Sequence, residues 1–76
     1  MKKLNYYEIS KREILTLNWE SVCQGFGKKE MEAKCSGLNK SDPQCIYKLD
    51  KIALIGVDKN KDITILWKAD NVEIKF

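Results

Sequence analysis

The chain has no histidine. That absence removes the Ser-His and Cys-His arrangements that activate a nucleophile. The three cysteines, Cys23, Cys35 and Cys45, form no Cys-x-x-Cys pair. Their odd number and wide spacing fit neither a zinc cluster nor a disulfide framework, and buried thiols acting as small hydrophobes are expected instead. No apolar run approaches the length of a membrane span. The opening MKKLNYYEIS has the lysines of a signal peptide without the apolar stretch that should follow. These absences point to a cytoplasmic protein that is not an enzyme, has no metal or cofactor and makes no membrane contact.

Two phosphate- and RNA-binding motifs fail as well. QGFGKKE holds the Gly-Phe-Gly of an RNA-recognition strand, but Lys28 stands where a second aromatic belongs. Val22 and Lys29 occupy positions that a P-loop gives to Gly and to Ser or Thr. Gly25 and Gly27 are read as turning the chain. DKNKD, with Asp58, Asn60 and Asp62 at alternate positions, begins like a calcium loop. The loop then needs Gly at its sixth position and Glu at its twelfth, where this chain has Ile63 and Ala69. DKNKD is therefore read as a hairpin tip.

What is present suits one small folded domain, residues 1–76. Hydrophobic residues make up 43% and charged residues 33%, a folded composition. A chain of 76 residues buries roughly three-fifths of its unfolded surface, so its core is thin. Fourteen Lys and Arg against eleven Asp and Glu leave a net charge of +3, which permits an anionic partner.

Ser10 and Glu13 have capping-box spacing, and Ile9 and Ile14 sit where a hydrophobic staple would. Leu15, Trp19, Val22 and Phe26 then recur along one helical face, with Gly25 at its end, which predicts helix 1 over 11–24. The alternation of Leu15, Leu17 and Trp19 is a competing strand pattern. Met31 and Cys35, with Leu38 beyond them and Gly37 as stop, predict helix 2 over 28–36. Asp42 as N-cap, Pro43 at the first turn, and Ile46 and Leu49 inward predict helix 3 over 43–50. ALIGV and ITILWK read as a hairpin closed by KNK. NVEIKF, with Val72, Ile74 and Phe76 inward, reads as a third strand. Residues 1–9 form an extended arm or a strand. The expected fold is α+β: three short helices followed by a small antiparallel β-sheet.

GLNKSDPQCIYKLDKIALIGVDKNKDITILW, within residues 28–68, resembles the winged helix-turn-helix superfamily. Gly37, Ser41, Ile46, Leu49 and the ALI of 53–55 occupy its pattern positions, with Ala53 where that family usually has Gly. The resemblance implies a DNA-binding, regulatory protein. Helix 3 would enter the major groove of double-stranded DNA through Lys40, Ser41, Gln44 and Lys48, and a wing would lay Lys59, Asn60 and Lys61 on the backbone. CIYKL and TILWKA are also similar to the Z-alpha family, which binds Z-form nucleic acid. Tyr47 and Trp67 match its two contact aromatics, while Pro43 stands where that family has Asn. Core packing is the other reading of both aromatics. Asp42 and Asp50 at the ends of helix 3 favour an alternative of another class: a small protein-binding module or inhibitor, of viral or mobile-element type, that blocks a protein partner.

Overall fold

In the computed structural model, which describes residues 1–75, the chain runs β1 (Lys2–Glu13), β2 (Glu20–Phe26), α1 (Lys28–Ser41), β3 (Cys45–Val57) and β4 (Ile63–Lys68). The four strands form one antiparallel sheet in the order β2-β1-β3-β4. This overturns the three-helix expectation, since the described residues form one helix and the sheet carries the fold.

The centre of the sheet is the β1–β3 ladder, which runs from Lys2↔Val57 to Glu13↔Cys45. Its register shifts once. Tyr6 pairs with Ala53 and Tyr7 with Lys51, so Ile52 is an extra residue on β3. A bulge of this kind changes which side of the sheet a strand's alternate residues face. Cys45, Tyr47 and Leu49 accordingly join Tyr7 and Ile9 under the helix. Ala53, Ile55 and Val57 join Tyr6 on the opposite side, with Ile52 beside them. Two small cores result, one on each side of the sheet.

The helix covers the first core. Met31 and Cys35, one turn apart, are its buried residues, with Leu38 partly buried beside them. Gly27 at φ 90° turns the chain from β2 into α1, a conformation that favours glycine. The helix starts at Lys28 as expected but continues through Gly37 to Ser41. The C-terminal segment covers the second core. Beyond β4, Ala69 N–H still bonds to the Ile52 carbonyl at 2.8 Å. After Asn71, at φ 61°, the chain crosses the sheet as a strap. Val72 and Ile74 pack on the Tyr6–Ile55 cluster. The Gln24 amide donates to the Glu73 carbonyl and accepts from Lys75 N–H, at 2.6 and 2.8 Å. Tyr6 O–H donates to the Lys75 carbonyl at 2.7 Å.

The expected helix 1 is instead the end of β1, a loop and β2. Ser10 caps nothing. It lies within β1, 5% exposed, and its hydroxyl donates to Glu8 Oε1 at 3.3 Å. A cap is worth about 1 kcal/mol, whereas fully burying an isoleucine is worth about 1.5–3 kcal/mol. Ile9, 0% exposed, gains that burial as a strand residue. The expected helix 3 is the first half of β3. Its supposed N-cap, Asp42, is the C-cap of α1, donating its N–H to the Leu38 carbonyl at 2.9 Å. Pro43 follows that end because it cannot continue a helix. In NVEIKF, Val72 and Ile74 do face the core, but the segment is a strap rather than a ladder strand; Phe76 lies outside the described residues.

Deleting residues 72–76 is expected to lower stability by about 3 kcal/mol, through lost apolar burial and three lost hydrogen bonds. Tyr6→Phe, which removes one of those bonds, should cost about 1 kcal/mol. Urea midpoints check both, and unchanged midpoints would show that the strap does not support the sheet.

Candidate functional site

A four-stranded sheet has two sides and two edges to cover, and this chain has one helix and one strap to do it. The helix packs mainly on β3 and β1, with Cys23 of β2 at its margin. What remains uncovered is β4. All six of its residues are exposed, including Ile63 at 52%, Ile65 at 46%, Leu66 at 41% and Trp67 at 48%. Its pairing to β3 (Leu54↔Trp67, then Ile55↔Ile65) leaves Leu66 as an extra residue. Ile63 and Ile65 fall on the strap side, opposite Val57 and Ile55. Trp67 falls on the helix side, opposite Leu54. Leu66 joins it there, over Gly56, where an added Cβ would lie 3.3 Å from Leu66 Cδ1 and collide with Met1 Sδ.

Among the described residues no strand pairs with the outer edge of β4. An open edge carries unpaired N–H and C=O groups and is a template for another strand. Elsewhere the chain protects such an edge. The first half of β3 extends beyond the reach of β4, and there Asn39 fills the gap. Its amide donates to the Tyr47 carbonyl at 3.1 Å and accepts from Tyr47 N–H at 2.9 Å, as a neighbouring strand would. β4 has no proline and no inward charge, and its one lysine, Lys68, is at its end.

Two other surface features are weaker candidates. A groove of about 550 Å³ lies between the strap and Trp19. Its polar groups already serve one another. Glu8 accepts from Ser10, Ser21 and Gln24. Lys48 pairs with Asp50 at 3.4 Å and sits 4.3 Å from the centre of the Trp19 ring. Among the described residues no buried side-chain polar atom lacks a hydrogen-bond partner. The β1–β2 loop exposes Leu15 and Leu17 at 96% and 89%, and Leu15 borders an open cleft of about 500 Å³ shared with Glu13, Asp42 and Cys45.

The residues expected to bind nucleic acid are not brought together. Lys40 and Ser41 end α1, and Gln44 lies in the loop before β3. Lys59, Asn60 and Lys61 form the turn after β3. Thirteen strand residues separate the two groups, roughly 40 Å at about 3.3 Å per residue, in a molecule 45 Å long. Lys48 faces the strap side, over Trp19. Tyr47 is buried under the helix, apart from Trp67 on β4. In the DKNKD turn, Asp58 Oδ1 accepts from the backbone N–H of Asn60 and Asp62 at 2.8 and 2.9 Å, so its carboxylate closes the turn. Among the described residues no group of three potential ligands could hold a metal, and no helix is long and apolar enough to cross a membrane. Cys35 is buried in the helix-side core, with Cys23 and Cys45 half-buried against it; burial pushes the thiols of Cys35 and Cys45 up. On β4 only Trp67 was expected to make contacts; Ile63, Ile65 and Leu66 were read as strand residues of a hairpin. The signal was there in Ile65-Leu66-Trp67, three consecutive apolar residues in a strand too short of neighbours to bury both sides.

Comparison with family models, with curated proteins and with solved structures finds no match for this chain.

The Tyr47 hydroxyl donates to Asp42 Oδ2 at 2.7 Å, tying the end of α1 to β3. This bond holds the Asp42 carboxyl below its ordinary value and, with burial, pushes Tyr47 up to about 12. The lowered Asp42 stabilises the fold fully above its unfolded value near 4, and loses that contribution as pH falls through the lower folded value. The raised Tyr47 contributes fully below about 10 and loses its contribution as pH rises toward the folded value. Tyr47→Phe should therefore melt lower than wild type at neutral pH and converge with it at both extremes. Thermal melts across pH test this; a constant offset would show that ionisation of the pair does not contribute.

Proposed function

We propose that this chain is a small protein-binding module that receives a strand of its partner along the outer edge of β4. The observation that supports it is a six-residue edge strand with four large apolar side chains exposed on both of its sides, whose edge protection is limited to the bulge at Leu66 and to Lys68 at its end. Strand addition draws affinity from main-chain hydrogen bonds and specificity from alternate side chains. Ile63 and Ile65 would contact one side of the incoming strand, and Leu66 and Trp67 the other. The bulge at Ile52 serves this use, because it turns the far half of β3 toward the strap and leaves the β4 end of the sheet without a helix. Binding without catalysis, with blockade of the partner as its effect, is the role this geometry supports best.

A second reading rests on charge. Lys2 and Lys3 begin β1 beside Val57 and Gly56, and Lys59 and Lys61 occupy the adjoining turn. Four lysines thus collect at one end of the molecule, a suitable contact for a nucleic-acid backbone that needs neither a recognition helix nor a wing.

Panning a displayed peptide library against the immobilised protein should enrich extended sequences with alternating apolar residues. Ile65→Lys, at a half-exposed position, should weaken those peptides at least tenfold, or about 1.4 kcal/mol. Peptides that bind the variant equally well, or a selection that yields none, would overturn the strand-addition reading. For the second reading, Lys59→Ala with Lys61→Ala should lower the salt slope of duplex binding by roughly two. Absence of any duplex binding by wild type at low salt would remove it.

A further inference from the structure

We infer that the strand received by β4 is β4 of a second copy of this chain, in an antiparallel pair about a two-fold axis normal to the sheet. The inference rests on the strand-addition reading and names its occupant. Its first ground is charge. Ile63–Trp67 is an uncharged stretch bounded by Asp62 on one end and Lys68 on the other. Antiparallel self-pairing brings Asp62 of each copy to the end of the neighbouring strand that carries Lys68, so both ends gain an opposite-charge neighbour. Parallel pairing would set like beside like at both ends.

The second ground is the match of faces. A two-fold axis normal to the sheet keeps the helix side of one copy continuous with the helix side of the other. With Ile63 opposite the second copy's Lys68, and Thr64 opposite its Trp67, each pair has its side chains on a common side. Ile63 and Lys68 lie on the strap side, opposite Val57 and Ala53 of their own β3. Thr64 and Trp67 lie on the helix side, opposite Gly56 and Leu54. The extra residue Leu66 then falls at the centre, across from Ile65 of the second copy, with Leu66 on the helix side and Ile65 on the strap side. The product is an eight-stranded sheet. On its helix side, Leu66 and Trp67 of both copies form one apolar floor flanked by the two α1 helices. The β2 edge does not offer this match. It begins with Glu20 and Ser21, and Gln24 and Ser21 are engaged with Glu8. A pairing of six residues a side is small for an interface, so the dimer is expected to form only at about micromolar concentrations or above.

Sedimentation velocity over a concentration series tests the inference, with each variant first shown to melt as wild type does. Wild type should move from a monomer of 8.8 kDa to a dimer as concentration rises. Asp62→Lys alone and Lys68→Asp alone should each weaken dimerisation at least fivefold. The double variant, which exchanges the two charges, should recover most of the loss, and Ile65→Lys should remain monomeric. Wild type that stays monomeric at millimolar concentration overturns the inference, as does a double variant weaker than either single one. A monomeric wild type that still selects peptides sensitive to Ile65→Lys overturns self-pairing alone and leaves strand addition by another protein standing. A monomer that selects no peptides overturns both.

Discussion

The β1–β3 ladder is the interaction on which the rest of this structure depends. It joins the two longest strands, and every other element attaches to one of them. Its single irregularity, the extra residue Ile52, has consequences at both ends of the molecule. Apolar residues stand at odd positions through most of β3, from Cys45 to Val57. In a strand without a bulge they would all face one side, and the other side would carry only Ile46, Ile52 and Leu54 among charged residues and Gly56. The bulge divides them. The first half of β3 faces the helix and the second half faces the strap, and adjacent Tyr6 and Tyr7 are buried on opposite sides of β1. A chain of 76 residues thereby covers both sides of a sheet with one helix and a few residues of extended tail.

That economy leaves the open edge. Conformational entropy limits how much ordered covering so short a chain can hold in place, because each ordered residue costs roughly 1–2 kcal/mol of backbone entropy. Asn39 shows that the fold can close an edge with a single side chain where the helix end lies within reach. Among the described residues no element pairs with the outer side of β4, and the side chains presented are Ile63, Ile65, Leu66 and Trp67. An exposed apolar edge with so little protection in a folded chain promotes uncontrolled association unless it has an intended occupant. This is the physical ground for assigning it a binding role.

The parts of the fold legible in the sequence were those set by local chemistry. α1 was legible from Met31 and Cys35 one turn apart, and its start after Gly27 followed from the same stretch. The hairpin tip was legible because an Asp two residues before Asn60 closes a turn through its own carboxylate. Val72 and Ile74 were read as core-facing, and they are. The failures occurred where a local signal competed with a long-range one. Ser10 and Glu13 satisfy the spacing of a capping box, and Asp42-Pro43 opens a helix as readily as it follows one. Both signals are worth about 1 kcal/mol. Burial of Ile9, Tyr6 and Tyr47 in the sheet outweighs them, and that burial depends on strands far apart in the chain. The grouping of the expected site residues rested on helix 3, which the chain does not form.

By itself, then, the sequence determined the start of the helix, the turn after β3 and the absence of imidazole chemistry, since each depends on neighbouring residues or on composition alone. Only the tertiary structure decided which strands pair, in which register, and which side each apolar residue faces. Those outcomes rest on the insertion of one residue at Ile52 and on contacts such as Tyr6 with Lys75, at opposite ends of the chain. The same structure decided that ITILWK would be an edge. No property of those six residues distinguishes an edge strand from a central one; the distinction lies in what the remainder of the chain leaves available to pack against them.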